Sequence, residues 1–271
     1  MSETETNTSF LGHLEELRWR LVKSAIAVVL VAVSVFIFIE PLTDLVLMSM
    51  SRASFPTYQF MCFISNTLGL GDAFCANNIE VKTIETQMTK QFATSIYFSL
   101  VSGIILSFPF LAFQIWAFVK PGLKPKEIKA TRGIVGYSTL LFLTGVGFGY
   151  FVISPLCIQF FGFYRMSQSI ELTPTFTSYY SLIVSSTIAC GLFFQLPIVI
   201  FILTKLGMMT PEVLKKYRKH ALVGILVLAA IITPPDFISQ VIVAIPVSLL
   251  YELSIIISRR VIKKQQSDGK S

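Results

Sequence analysis

Charge is what this sequence has least of. Asp, Glu, Lys and Arg make up 14% of its 271 residues, against 54% hydrophobic residues and a mean hydropathy of +0.71. A soluble domain carries about a quarter charged residues, so this composition excludes one, and with it a disordered chain and a nucleic-acid-binding role for the net charge of +7. Histidine is nearly missing. His13 and His220 stand far apart at the ends of apolar segments, which supplies neither a metal site nor the membrane histidine of an intramembrane protease. No lysine follows a glycine run. Gly145, Gly147 and Gly149 lie inside an apolar stretch, where Gly145-x-x-x-Gly149 reads as a close helix contact and not as a phosphate cradle. No catalytic residue, metal or cofactor is therefore expected, and the chain does not read as an enzyme. Residues 1–9 carry Glu3 and Glu5 where a cleaved leader would be basic, so the first apolar segment is expected to be retained. Neither a repeat of 20 to 50 residues nor a low-complexity tract is present.

What the sequence does have is long apolar runs. Residues 91–119, 133–164 and 172–204 are charge-free over 29, 32 and 33 residues, each enough to cross about 30 Å of hydrocarbon as a helix. Residues 24–39 and 220–235 are charge-free over 16 residues each, which gives only about 24 Å. The first of these can lengthen through the stems of Arg20 and Lys23, but Thr233-Pro234-Pro235-Asp236 stops the second. Residues 237–258, interrupted only by Glu252, make a sixth run. The predicted fold is an all-α integral membrane protein of six transmembrane helices in one polytopic domain over 1–271, with short fifth and sixth spans.

Basic residues sort by side. Eighteen of the 22 fall at the N-terminus, after spans two and four, or in the tail over 259–271, and only Arg52, Lys82, Lys90 and Arg165 lie opposite. By the positive-inside rule both termini are cytoplasmic, in a bacterial-type cytoplasmic membrane. One long outer loop over about 40–95 follows. Within it Cys62 and Cys75 bound a turn-rich segment on the oxidising side and are expected to form a disulfide, whereas Cys157 and Cys190 read as small packing residues. Ile79, Lys82, Thr83, Thr86 and Lys90 fall at helical spacing around Val81, Ile84 and Met88, which predicts an amphipathic helix leading into span two.

Polar groups inside the spans are few and count as functional candidates, because each is costly unless paired. Glu252 is the one acid; it either belongs to a polar pathway or pairs with Arg259 or Arg260. Gln195, beside Pro197, and Gln240 are each either a helix–helix hydrogen-bond anchor or part of such a pathway. As an anchor Gln195 would contact a partner helix, and it could not carry protons because an amide does not titrate. Asp236 reads as the cap of span six, accepting from the amide of Ser239.

The N-terminal end of span one carries a denser constellation. Leu11, Leu14, Leu17 and Leu21 line one helical face, and Glu16 and Arg20 are i,i+4 neighbours. Glu16 lies eight residues before the charge-free run of span one, and Glu127 eight after that of span two. Two carboxylates are thus expected at similar depth just outside the membrane.

His13-Leu-Glu-Glu-Leu-Arg-Trp-Arg20, Phe108-Pro109 through Gln114-Ile-Trp-Ala-Phe-Val-Lys-Pro-Gly-Leu123 with Glu127, Tyr150-Phe with Pro155, and Thr233-Pro-Pro-Asp-Phe-Ile-Ser-Gln240 together resemble the TatC family of twin-arginine protein translocases. The resemblance covers nearly the whole chain, in order. It implies a membrane receptor for signal peptides with paired arginines, working with single-span TatA and TatB subunits in an oligomeric complex that moves folded proteins by the proton-motive force. It also implies that Glu16 and Glu127 bind the arginine pair, with Leu17, Arg18 and Arg20 as motif neighbours. Two departures stand out: Gln195 occupies a span-four position where many members have Glu, and the Cys62 to Cys75 segment looks like an insertion. A six-span secondary transporter using Gln195, Gln240 and Glu252 as a polar path is the alternative; it calls for internal pseudo-symmetry, which the sequence does not show. A purely structural membrane scaffold is a third reading.

Overall fold

The computed structural model describes residues 3–52, 54–67, 83–120, 133–163, 167, 173–232 and 237–268. It is helical nearly throughout. Helix α1 (Glu3–Ile37) leads to a short helix α2 (Pro56–Thr67), then α3 (Met88–Val119), α4 (Ile134–Phe148), α5 (Ser154–Phe163), α6 (Phe176–Phe193), α7 (Leu196–Lys205), α8 (Pro211–Lys216), α9 (Arg218–Ile232) and α10 (Phe237–Asp268). Among the described residues, five stretches are long and apolar enough to cross a membrane: Glu15–Ile37, Met88–Val119, Ile134–Gly162, Phe176–Lys205 and Gln240–Lys263. The fifth apolar run of the sequence is the 15-residue α9, which reaches about 22 Å.

Helices α1 and α3 run antiparallel. Arg20 meets Gln114, the Ser107 hydroxyl donates to the Ala27 carbonyl at 3.5 Å, and Phe36 meets Phe92 edge to face, so ascending numbers on one helix match descending numbers on the other. Gly103 sets the spacing, since a Cβ there would stand 2.9 Å from the Val28 carbonyl oxygen. Helix α4 meets α6 through the expected glycine pair. A Cβ on Gly145 would lie 2.6 Å from the Cys190 carbonyl oxygen, and one on Gly149 would lie 2.7 Å from the Thr187 Cα. The third span passes from α4 to α5 through a π-helical turn, Gly149–Ile153, without a break. The fourth is interrupted at Phe194 and Gln195, because Pro197 has no N–H to continue the ladder.

Two expectations need correction. Residues 83–87, predicted as the end of an amphipathic helix, are non-helical: Ile84 pairs in a parallel bridge with Thr175, donating to the Pro174 carbonyl at 3.1 Å and accepting from Phe176 at 2.9 Å. Both backbone groups of Ile84 go to a neighbouring segment, so no helix can use them. The sixth span is also not short. Its charge-free run stops at Ser258, but Arg259, Arg260 and Lys263 are good helix formers whose charged ends reach water, and α10 extends over 32 residues.

The core sits in three clusters along the bundle. Val35, Leu47, Met50, Phe55, Tyr58 and Tyr179 tie the connection between α1 and α3 to the spans. Burial pushes the Tyr58 hydroxyl above its ordinary pKa while it donates to the Met50 carbonyl at 3.2 Å. Ile153, Cys157, Cys190, Ile225, Ala229 and Val243 join the later spans, and Ile200, Leu214 and Ile255 close the opposite end. Large apolar side chains such as Leu30, Leu140 and Leu249 are exposed, as a surface facing lipid requires.

Candidate functional site

At one end of the antiparallel pair, a guanidinium ties two helices together. Arg20 donates through Nε and Nη2 to Glu16 Oε1 at 3.0 and 2.5 Å, one turn back on α1. Its Nη1 donates across to Gln114 Oε1 on α3 at 3.3 Å. Gln114 is buried, while the Arg20 and Glu16 side chains are 25% and 38% exposed. A half-exposed pair of this kind contributes only about 0 to 1 kcal/mol to stability, so its effect is positional: the fork of Arg20 fixes where the Glu16 carboxylate points. Leu17 is half-buried, Arg18 and Glu15 are exposed, and Leu21 is 61% exposed. Glu127 lies outside the described residues. The chain nevertheless leaves α3 at Lys120, six residues beyond Gln114, and therefore at the Arg20 end.

Gln114 was not singled out by sequence reasoning. The available signal was a lone amide in an apolar helix, inside the Gln114-Ile-Trp116 motif, but nothing local ties it to Arg20.

The structure does not bring the three intramembrane polar residues together. Gln195 donates to the Ser138 carbonyl at 3.0 Å and accepts from the Ser138 hydroxyl at 2.6 Å, joining the fourth span to α4. Gln240 donates to the Leu226 carbonyl at 3.0 Å, joining α10 to α9. Glu252 forms its ion pair with Arg218 at the start of α9, and not with Arg259 or Arg260 as the sequence suggested. The reason is packing between helices: α9 turns back beside α10 and presents Arg218 across the hairpin, whereas Arg259 is two turns further along Glu252's own helix. A cavity of about 400 Å³ opens between α1, α3, α4 and α6, lined by Val35, Phe98, Ile105, Val146 and Tyr150. It is apolar and takes in none of Gln195, Gln240 and Glu252. A continuous polar path is not built here.

Asp236 and Cys75 lie outside the described residues. Cys62 is half-buried on α2, and Cys157 and Cys190 are buried, as small packing residues are. At the end of the bundle away from Arg20, Glu85 accepts from the Thr177 hydroxyl at 2.7 Å and the Thr177 amide at 3.3 Å, capping the first turn of α6. The Thr177 hydroxyl bond, opposed by slight desolvation and aided by nearby amides, holds the Glu85 carboxyl below its usual range.

Comparison with known proteins agrees with this architecture. Residues 12–246 match the family model of TatC, the Sec-independent protein translocase protein. The chain is 34% identical over 268 residues to the Sec-independent protein translocase protein TatC of a Blattabacterium of Periplaneta americana, covering 98% of this chain and 100% of that one. It is 37% identical over 209 residues to TatCy of Bacillus subtilis, covering 72% and 82%. Among solved structures, a crystal structure of the twin-arginine translocase receptor TatC superposes with a TM-score of 0.71 at 31% identity, over 92% of this chain and 99% of the other. On both the sequence matches and the shared fold, this multi-pass membrane protein belongs to the TatC family of twin-arginine translocase subunits.

Proposed function

We propose that the chain is the signal-peptide receptor and core subunit of a twin-arginine translocase, capturing paired arginines with Glu16 and Glu127. It crosses the membrane six times with both termini in the cytoplasm. It works with single-span TatA- and TatB-like subunits, and the proton-motive force drives folded passengers across. The observation that carries this reading is the Arg20 tie. A carboxylate held by a guanidinium braced on buried Gln114 is already oriented for a second guanidinium, and the chain leaves α3 toward Glu127 at the same end of the helix pair.

Arginine should be preferred to lysine. A guanidinium gives a carboxylate two parallel hydrogen bonds, whereas an ammonium is a point charge on a flexible stem. Exposed pairing alone gives little affinity, so the peptide must also bury apolar surface against the spans. Glu16→Ala or Glu127→Ala should each weaken capture by roughly tenfold or more, as expected for a lost charge-assisted bond. The lysine variants should bind more weakly still, through repulsion. Glu15→Ala should do less, because Glu15 points about 100° away around the helix. Cross-linking of a twin-arginine peptide to each variant in membranes without partner subunits, beside a Lys-Lys control peptide, measures this. Equal binding of the two peptides, or wild-type capture by the Glu16/Glu127 double variant, would remove the two acids from recognition.

A further inference from the structure

Among the described residues away from the Glu16 site, basic side chains cluster where α8 folds against the far end of α10. Tyr251 donates to the Leu214 carbonyl at 2.8 Å, and Leu214 is buried with Ile200 and Ile255. Helix α10 stays packed through Val261, which is 7% exposed, so Arg259, Arg260 and Lys263 project from a fixed helix. Lys215, Lys216 and Lys219 are exposed on α8 and the start of α9. Because α8 packs on α10, the two sets of cations stand at one end of the same helix pair, and Lys215 and Arg259 both act on the Glu212 carboxylate. Glu252, the other acid nearby, is taken by Arg218. Six cations therefore share one carboxylate among the described residues here.

Apolar side chains are interleaved with these cations. Met208 is 72% exposed, Val213 and Tyr217 are exposed, and the Lys216 ammonium stands 6.0 Å over the Tyr217 ring. Met208 and Val213 stay exposed beside the cations at this end of the helix bundle. A bilayer surface accepts both kinds, with apolar groups at the acyl boundary and ammonium and guanidinium groups at the phosphates. The segment also joins two helices of the membrane bundle, which keeps it at headgroup level without any separate targeting.

We propose that this surface is a binding site for acidic phospholipid headgroups, with Lys215, Lys216 and Lys219 on one flank and Arg259, Arg260 and Lys263 on the other. The bound lipid phosphates bridge α8 and α10 and hold the last two helices at their membrane depth. The site is independent of Glu16 and Glu127, and the receptor reading can fail without affecting it.

The test uses the full chain purified in maltoside micelles, with native mass spectrometry counting retained phosphatidylglycerol against phosphatidylcholine. Wild type should retain phosphatidylglycerol at least about tenfold better. The triple variants K215Q/K216Q/K219Q and R259Q/R260Q/K263Q should each bind it about a hundredfold more weakly, at about fivefold per cation. Both should still capture a twin-arginine peptide at wild-type level, or, if that peptide binds to neither, keep the wild-type circular dichroism melt, which separates lost binding from lost folding. Equal retention of the two lipids by wild type, or unchanged selectivity in both triple variants, overturns the proposal. So does displacement of phosphatidylglycerol by millimolar inorganic phosphate, which would mark a soluble-anion site. Displacement by polyglutamate at lower concentration than phosphatidylglycerol would mark a protein-docking face and overturn it equally.

Discussion

Gln195 commits its amide to a single neighbour, giving one hydrogen bond to the Ser138 carbonyl and taking one from the Ser138 hydroxyl. Such bonds between membrane helices average about 0.6 kcal/mol each, since the unfolded chain in lipid also finds partners. Gln195→Leu should therefore lower the free energy of unfolding in a dodecyl sulfate titration by about 1 kcal/mol. Gln195→Glu should keep most of that stability while the new acid is protonated. We propose that the same amide also steadies a single-span partner, so Gln195→Leu should reduce cross-linking to it; unchanged cross-linking and transport would limit Gln195 to a strut within the chain. Legibility from sequence differs between residues for one physical reason, which is range. The Glu16–Arg20 pair is one helical turn apart and could be read directly. Gln114 lies 94 residues from Arg20, and only the antiparallel packing of α1 on α3 brings them together.

Between elements, the N-terminal ends of α3 and α6 are held by the Ile84–Thr175 bridge and by Glu85 on Thr177. The ionised carboxylate accepts these bonds more strongly than the neutral acid, and its folded pKa is depressed below the ordinary 4.5. A depressed carboxylate pKa contributes stability that is fully present above the unfolded value and lost as pH falls through the folded one. Melting followed by circular dichroism in micelles should show a loss of stability below about pH 4.5 that is smaller in Glu85→Gln. Identical acid limbs in the two proteins would assign the loss to other carboxylates. This clamp was hidden in the sequence because the helical spacing around Ile84 was real as a pattern but the backbone bonds went elsewhere. The Gly145 and Gly149 contact, by contrast, was legible, since a small-residue repeat inside an apolar helix has few uses other than close approach. Helix α10 shows the opposite limit: charge-free length marks where lipid ends and not where a helix does.

At the scale of the whole molecule, sidedness depends on α9. Five stretches are of spanning length, and with the N-terminus inside, five crossings would leave the C-terminus outside whereas six return it to the cytoplasm. Helix α9 is short by about 8 Å against an average hydrocarbon core, a mismatch that costs a fraction of a kcal/mol per Å when the bilayer thins or the helix is covered by protein. Coverage is what it has: Ile225 and Ala229 are buried against Val243, Ala244 and Val247, and Arg218 at its end is neutralised by Glu252. The basic residues agree, because Arg259, Arg260 and Lys263 would lie on the outer side if α9 failed to cross, against the positive-inside rule. Single cysteines placed in a cysteine-free chain decide between the two. Lys126→Cys and Lys270→Cys should resist a membrane-impermeant maleimide added to intact cells and react after permeabilisation, while Asp72→Cys should react at once. Labelling at position 270 with protection at 126 would leave α9 lying on the membrane surface, reduce the chain to five crossings, and put Arg259, Arg260 and Lys263 across the membrane from Lys215, Lys216 and Lys219, which would dismantle the proposed phospholipid site.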